Sequence, residues 1–206
     1  MANIQNIYDD FMAVYNFQCS MIVDSTTLLQ NNVPPNQQLF SHGMYNAIVE
    51  QSFMRIYLAW ETFLEKSFII YLQGETDLKG TVYIKFGNPK DNEHAYNMLK
   101  GTKNYPDWTN IDDVNQLAGI YFDNSGPFAT LVAPPPEMLA MKTIRNRISH
   151  VSEKSLKQYN RLLMQNISQT NIAPGDYLMQ LRSGTQTYFT FYVEMLKDYV
   201  EAICNK

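Results

Sequence analysis

Residues 53–74 read FMRIYLAWETFLEKSFIIYLQG, and this stretch decides the fold. Phe53, Ile56, Tyr57, Trp60, Phe63, Leu64, Phe68 and Tyr71 recur in steps of three and four. On an α-helix that spacing lays all of them along one face, whereas a strand would send alternate residues to opposite sides. The run stops at Gly74, a residue type that adopts the left-handed backbone with which helices commonly end. An aromatic stripe of this width must be buried, and the partners that can bury it are other helices.

Those partners are legible on both sides. Upstream, Ile4, Ile7, Tyr8, Phe11, Val14, Tyr15 and Ile22 predict a helix running to about Leu29, and NNVPPNQQ (31–38) breaks it, because proline lacks an amide donor and restricts the residue before it. Downstream, PPPEM (134–138) starts another helix. Proline suits its first turn, and Glu137 meets the positive end of its dipole. Leu156, Tyr159, Leu163 and Ile167 continue the helical period until NIAPGD (171–176) ends it. Tyr188, Tyr192, Met195, Leu196, Tyr199 and Ile203 trace a long last helix. The expected fold is all-α, an antiparallel helical bundle in one domain over 1–206.

Residues 74–133 lose this clarity and read as an irregular insertion between helices. GTVYIKFGNP (80–89) alternates Val82, Ile84 and Phe86 between glycines and predicts a short strand. Helices are expected near 91–100 and 111–121, and DNSGP (123–127) is turn chemistry.

At 206 residues, 45% hydrophobic and 17% charged, the chain is long enough for a core and too apolar for disorder. Its net charge of -4 argues against general nucleic-acid binding through overall basic charge, so a polyanion site would have to be local. The start, MANIQNIYDDFMAVYNF, has acids where a signal peptide has bases, and apolar runs such as SFIIYL (67–72) are too short to span a bilayer. A cytoplasmic protein with no membrane partner is expected. Cys19 and Cys204 form no CxxC pair and have no nearby histidine. No metal site and no cofactor are expected, and the thiols are read as buried, with an end-to-end disulfide left open.

The polar exception to the helical stripes is TIRNRISHVS (143–152). On a helix Asn146 and His150 share a face, Arg145 stands one position to the side, and Arg147 points elsewhere. Residues 142–161 also hold six of the sixteen basic residues, Lys142, Arg145, Arg147, Lys154, Lys157 and Arg161, against Glu153 alone. The residues alone admit two readings. The simpler is a solvated helix end capped by histidine. The other is a local phosphate site: histidine moves a proton near neutral pH, arginine grips phosphate oxygens, and asparagine orients either one.

RNRISH (145–150) resembles the signature of the HEPN superfamily, an arginine, a polar residue that is commonly Asn, three further residues and a histidine. Upstream, WETFLE (60–65) is similar to the Trp-Glu-x-Phe-Leu pattern of its RiboL-PSP branch. The resemblance covers about 1–73 and 134–206 and leaves 74–133 unexplained. It implies a helical HEPN-like domain that dimerises so that two motifs face one cleft, acting as a metal-independent ribonuclease in a toxin-antitoxin or phage-defence system. Arg145 and His150 would be catalytic and Asn146 would orient or bind the phosphate, with Lys142, Arg147, Lys154 and Lys157 as RNA-binding bases. Products would carry 2′,3′-cyclic phosphate, and the partners implied are RNA, a second copy, and an antitoxin or defence-system protein. The family also holds non-catalytic members that bind RNA, nucleotide or protein. One departure stands out: HEPN toxins controlled by a modifying nucleotidyltransferase carry a tyrosine two residues after the histidine, and this chain has Ser152.

Glu61 interrupts the apolar helix and offers a carboxylate for Arg145 or a neighbouring base, if it does not simply lie on a polar flank. His42 and His94 lack ligand-spaced companions, and Asp112 and Asp113 suit a helix first turn.

Overall fold

In the computed structural model the periods become helices at almost the expected positions. The structure describes residues 3–31, 40–100 and 106–205. Helix α1 runs Ile4–Gln30, α2 His42–Gln73, α3 Asn92–Lys100, α4 Ile111–Tyr121, α5 Pro136–Ser149, α6 Glu153–Ile167, α7 Pro174–Leu178 and α8 Tyr188–Cys204. The fold is all-α, with a two-stranded antiparallel hairpin, β1 (Leu181–Ser183) and β2 (Gln186–Thr187), turning at Gly184. Beyond Asn31, the proline break expected at 31–38 lies outside the described residues.

Helix α2 starts well before its stripe because Ser41 caps it, its hydroxyl accepting the Met44 N–H at 3.2 Å. Its end is a Schellman turn. Gly74 sits at φ +98°, its N–H donates to the Tyr71 carbonyl, and the Glu75 N–H reaches back to Ile70, each at 3.0 Å.

Two compact units can be described. The first is drawn from Met1–Met12, Leu58–Pro135 and Leu196–Lys206. Its core is aromatic: Trp60 stacks on Phe63 at 6.0 Å, and Phe68 meets Phe128 at 4.7 Å and Phe122 at 5.3 Å. Residues 74–133 are thus packed onto α2 through Phe68. Within them Asp77 is buried and accepts from the Lys79 and Thr81 amides, the Tyr83 hydroxyl and Asn205. Burial works to raise its pKa, but the hydrogen bonds outweigh it and hold the carboxyl below its usual range. The stretch 80–89 is extended, yet it pairs only through an isolated bridge from Lys85 to Phe122. Its apolar row faces solvent, with Val82, Ile84 and Phe86 exposed. Asn124 and Ser125 both take positive φ, so DNSGP is the turn its composition indicates.

The second unit is drawn from Ala13–Tyr57 and Pro136–Met195. Here α5 packs on α6 and on α7. Gly175 in α7 permits close approach to α2: a Cβ at that position would stand 2.8 Å from the Asn46 carbonyl oxygen. The Gly175 N–H donates to Glu50 at 3.0 Å. Tyr177 lies stacked on Tyr188 at 4.6 Å, and its hydroxyl is 2.9 Å from that of Tyr192.

Candidate functional site

The RNRISH motif closes α5 in the second unit. Arg145 and Asn146 occupy its last turn, half-buried, and His150 is the first residue past Ser149. The His150 N–H still donates to the Asn146 carbonyl at 3.0 Å, so the helical path extends through the histidine backbone. That path keeps Asn146 and His150 on one face. The Arg145 guanidinium leans across from the flank, with Nη1 donating to Asn146 Oδ1 at 3.4 Å. The structure therefore joins Arg145 to Asn146. The His150 ring is exposed and has no hydrogen-bond partner among the described residues, which leaves both ring nitrogens available to a ligand.

Serines hold the chain just past the histidine. Ser152 is the N-cap of α6, accepting the Ser155 N–H at 3.2 Å, and Ser155 answers by accepting the Ser152 N–H at 3.3 Å. The Ser155 hydroxyl also lies 2.6 Å from the His150 carbonyl, to which it donates. This reciprocal capping box gives Ser152 a structural use that its place in the motif did not suggest.

The basic residues divide. Lys142 is half-buried on α5, whereas Lys154, Lys157 and Arg161 are exposed on α6. Lys157 stands 4.0 Å from Glu153 with both ends in solvent, a pair worth little. Arg147, two positions from Arg145, faces the other way, and its charge acts on buried Tyr159. Burial drives the Tyr159 phenol well above its ordinary value, and Arg147 opposes that only in part. Glu61 is half-buried on α2 in the first unit. Trp60 is core, as expected.

Three groups escaped sequence reasoning. His42 Nε2 lies 2.6 Å from Asp176 Oδ1, joining the start of α2 to α7. No spacing in the sequence links residues so far apart. Glu50 is the acceptor for the Gly175 amide. Tyr177, Tyr192 and Asn166 form a buried polar chain in which Asn166 Nδ2 donates to Tyr177 at 2.7 Å. Burial, partly offset by those hydrogen bonds, pushes Tyr177 up to about 12, and burial raises Tyr192 further. His94 accepts the Lys90 N–H at 3.1 Å, and Asp112 and Asp113 lie in the first turn of α4.

Neither cysteine is in a disulfide; Cys204 is buried and Cys19 half-buried, its thiol pKa raised by burial. Among the described residues no three His, Cys, Asp or Glu side chains are grouped to hold a metal ion, and no helix is long and apolar enough to cross a membrane. Compared with family models, curated proteins and solved structures, the chain matches none.

Proposed function

We propose that the protein is a metal-independent endoribonuclease of HEPN type. The observation that carries the reading is the end of α5: an exposed histidine with an unoccupied ring, one turn from an asparagine that an arginine already touches. Lysines on the adjoining α6 supply positive charge for a polyanion. A ribose 2′-oxygen attacks the adjacent phosphorus, forming the new P–O bond as the bond to the 5′-oxygen breaks. His150 takes the 2′-hydroxyl proton or donates one to the leaving oxygen, and a second histidine performs the complementary transfer. Arg145 stabilises the extra charge on phosphorus, with Asn146 holding its guanidinium in place. That requirement for two proton-transfer groups is met by a homodimer whose motifs share one cleft. The same reading makes the protein a toxin or phage-defence effector, acting in the cytoplasm and restrained by an antitoxin or defence-system partner.

The test is cleavage of single-stranded RNA by purified protein in EDTA. Wild-type protein yields 2′,3′-cyclic phosphate and 5′-hydroxyl ends and leaves DNA intact. His150→Ala and Arg145→Ala proteins stay folded and dimeric and do not cleave. Equal cleavage by His150→Ala protein refutes the assignment. RNA that is bound in a salt-dependent way but never cut assigns the domain to binding alone.

A further inference from the structure

Away from the motif, the second unit carries a groove of about 880 Å³ between α1 and α2. Val14, Phe17 and Met21 wall it from α1, and Ile48 from α2. Such a volume and lining suit a small organic ligand. Three polar groups converge there. Ser52 is 1% exposed, and its hydroxyl has no hydrogen-bond partner. An orphaned buried hydroxyl is destabilising, and alanine would serve the helix better, so the serine calls for an outside partner. Gln18 is only 9% exposed and makes no hydrogen bond among the described residues. Arg55, three residues from Ser52 and on the same side of α2, is exposed at the rim with no ion-pair partner among the described residues.

The occupant must therefore be apolar over its faces, polar at one edge and anionic at one end. A hydrocarbon chain fills the walls but leaves the Ser52 hydroxyl and the Gln18 amide unsatisfied. A nucleobase meets all of these requirements: its π-face stacks on exposed Phe17, its edge offers adjacent donors and acceptors, and its phosphate answers Arg55. We propose that the groove binds a nucleotide, with the base against Phe17, its edge on Ser52 and Gln18, and the phosphate on Arg55. Two sources share this chemistry, a free nucleotide and an unpaired base of an RNA strand. Met54, next to Arg55, meets Ser149 of α5 at 3.9 Å, so a strand leaving the groove past Arg55 heads towards His150. As a base subsite the groove rests on the ribonuclease reading; as a free-nucleotide site it does not.

Binding of each nucleoside monophosphate, and of a short 2′-O-methyl RNA that cannot be cleaved through its 2′-position, is measured for wild type, Phe17→Ala, Ser52→Ala and Arg55→Gln. The result does not depend on whether the protein cuts RNA. Phe17→Ala and Arg55→Gln weaken binding roughly tenfold. Ser52→Ala weakens it about threefold while leaving Tm equal or higher, which excludes misfolding as the cause. Monophosphate binding with these losses identifies a free-nucleotide site, and RNA binding alone with the same losses identifies a base subsite. Binding unchanged in all three variants overturns the proposal, as does a groove that takes oleate but neither nucleotide nor RNA. So does a Phe17→Ala protein that loses only dimerisation.

Discussion

The Ser155 hydroxyl donates to the His150 carbonyl at 2.6 Å, tying the first turn of α6 to the residue that ends α5. Ser155 is 5% exposed, so this bond is sheltered from water and fixes the backbone that carries the histidine. Ser155→Ala removes it together with half of the capping box, and a loss of about 1–2 kcal/mol in urea unfolding is expected. Ser152→Ala, which removes only the cap, costs about 1 kcal/mol. An unchanged urea midpoint for Ser155→Ala would show that the tie bears no load.

His150→Ala is expected to lower kcat for RNA cleavage by about 10²–10⁴, the usual worth of a positioned acid or base. KM should change little, because the ring is placed to move a proton and not to grip the strand. A rise in KM at constant kcat would make His150 a binding residue.

Lys154 and Lys157 are exposed on α6 and act on RNA as point charges. Removing either should weaken binding to all sequences alike and shallow the slope of log affinity against log salt by about 0.7. Affinities measured across a salt series test this. Arg147→Ala should leave that slope almost unchanged, since Arg147 faces Tyr159.

Gly175→Ala puts a methyl group 2.8 Å from the Asn46 carbonyl oxygen and 2.9 Å from its Cα. Backbone cannot swing aside as a side-chain end can, so α7 must lift from α2 and weaken the Glu50 hydrogen bond. A loss of about 1–3 kcal/mol is expected, read from thermal or urea unfolding. A Gly175→Ala protein as stable as wild type would contradict this contact.

The buried phenols make alkaline stability predictable. Tyr177 titrates near 10.0 when unfolded and is pushed up to about 12 by burial when folded. The raised pKa means that its contribution is fully present below pH 10.0 and is lost as pH climbs towards about 12, because the unfolded chain ionises first. Tyr71, Tyr159 and Tyr192 shift in the same direction, again chiefly through burial. Absorbance titration should show these phenolates appearing together with unfolding. Phenols that ionise near pH 10 in protein that is still folded would disprove their burial.

The helices were readable because their stripes repeat over many turns: α2 and α8 follow the marked Phe, Tyr and Leu positions, and α5 starts where proline and Glu137 indicate. Even α3 and α4, inside the obscure region, were visible from short periods. The segment 80–89 was harder, since alternation signals an extended chain but not which face is covered; Val82, Ile84 and Phe86 point outward while Tyr83 and Lys85 are half-buried. The hairpin at Gly184 was missed because two short strands leave almost no pattern. At the site, four-residue spacing was enough to align Asn146 with His150 and to place Arg145 on the flank. The His42–Asp176 and Glu50–Gly175 contacts join residues more than a hundred positions apart, and the unpaired state of Ser52 depends on what surrounds it. Neither is a local property of sequence.

The outward row on 80–89 bears on how the protein behaves in concentrated solution. One edge of that segment pairs with the chain near Phe122, while Tyr83 and Lys85 make no backbone hydrogen bond among the described residues. An apolar extended segment with an open edge invites another chain to add to it. Lys79, Lys85, Pro89 and Lys90 are spaced along this segment as gatekeepers, adding charge and a residue that cannot donate to a ladder. Selection on these residues thus acts through aggregation, a hazard that grows with copy number and that folding free energy does not record.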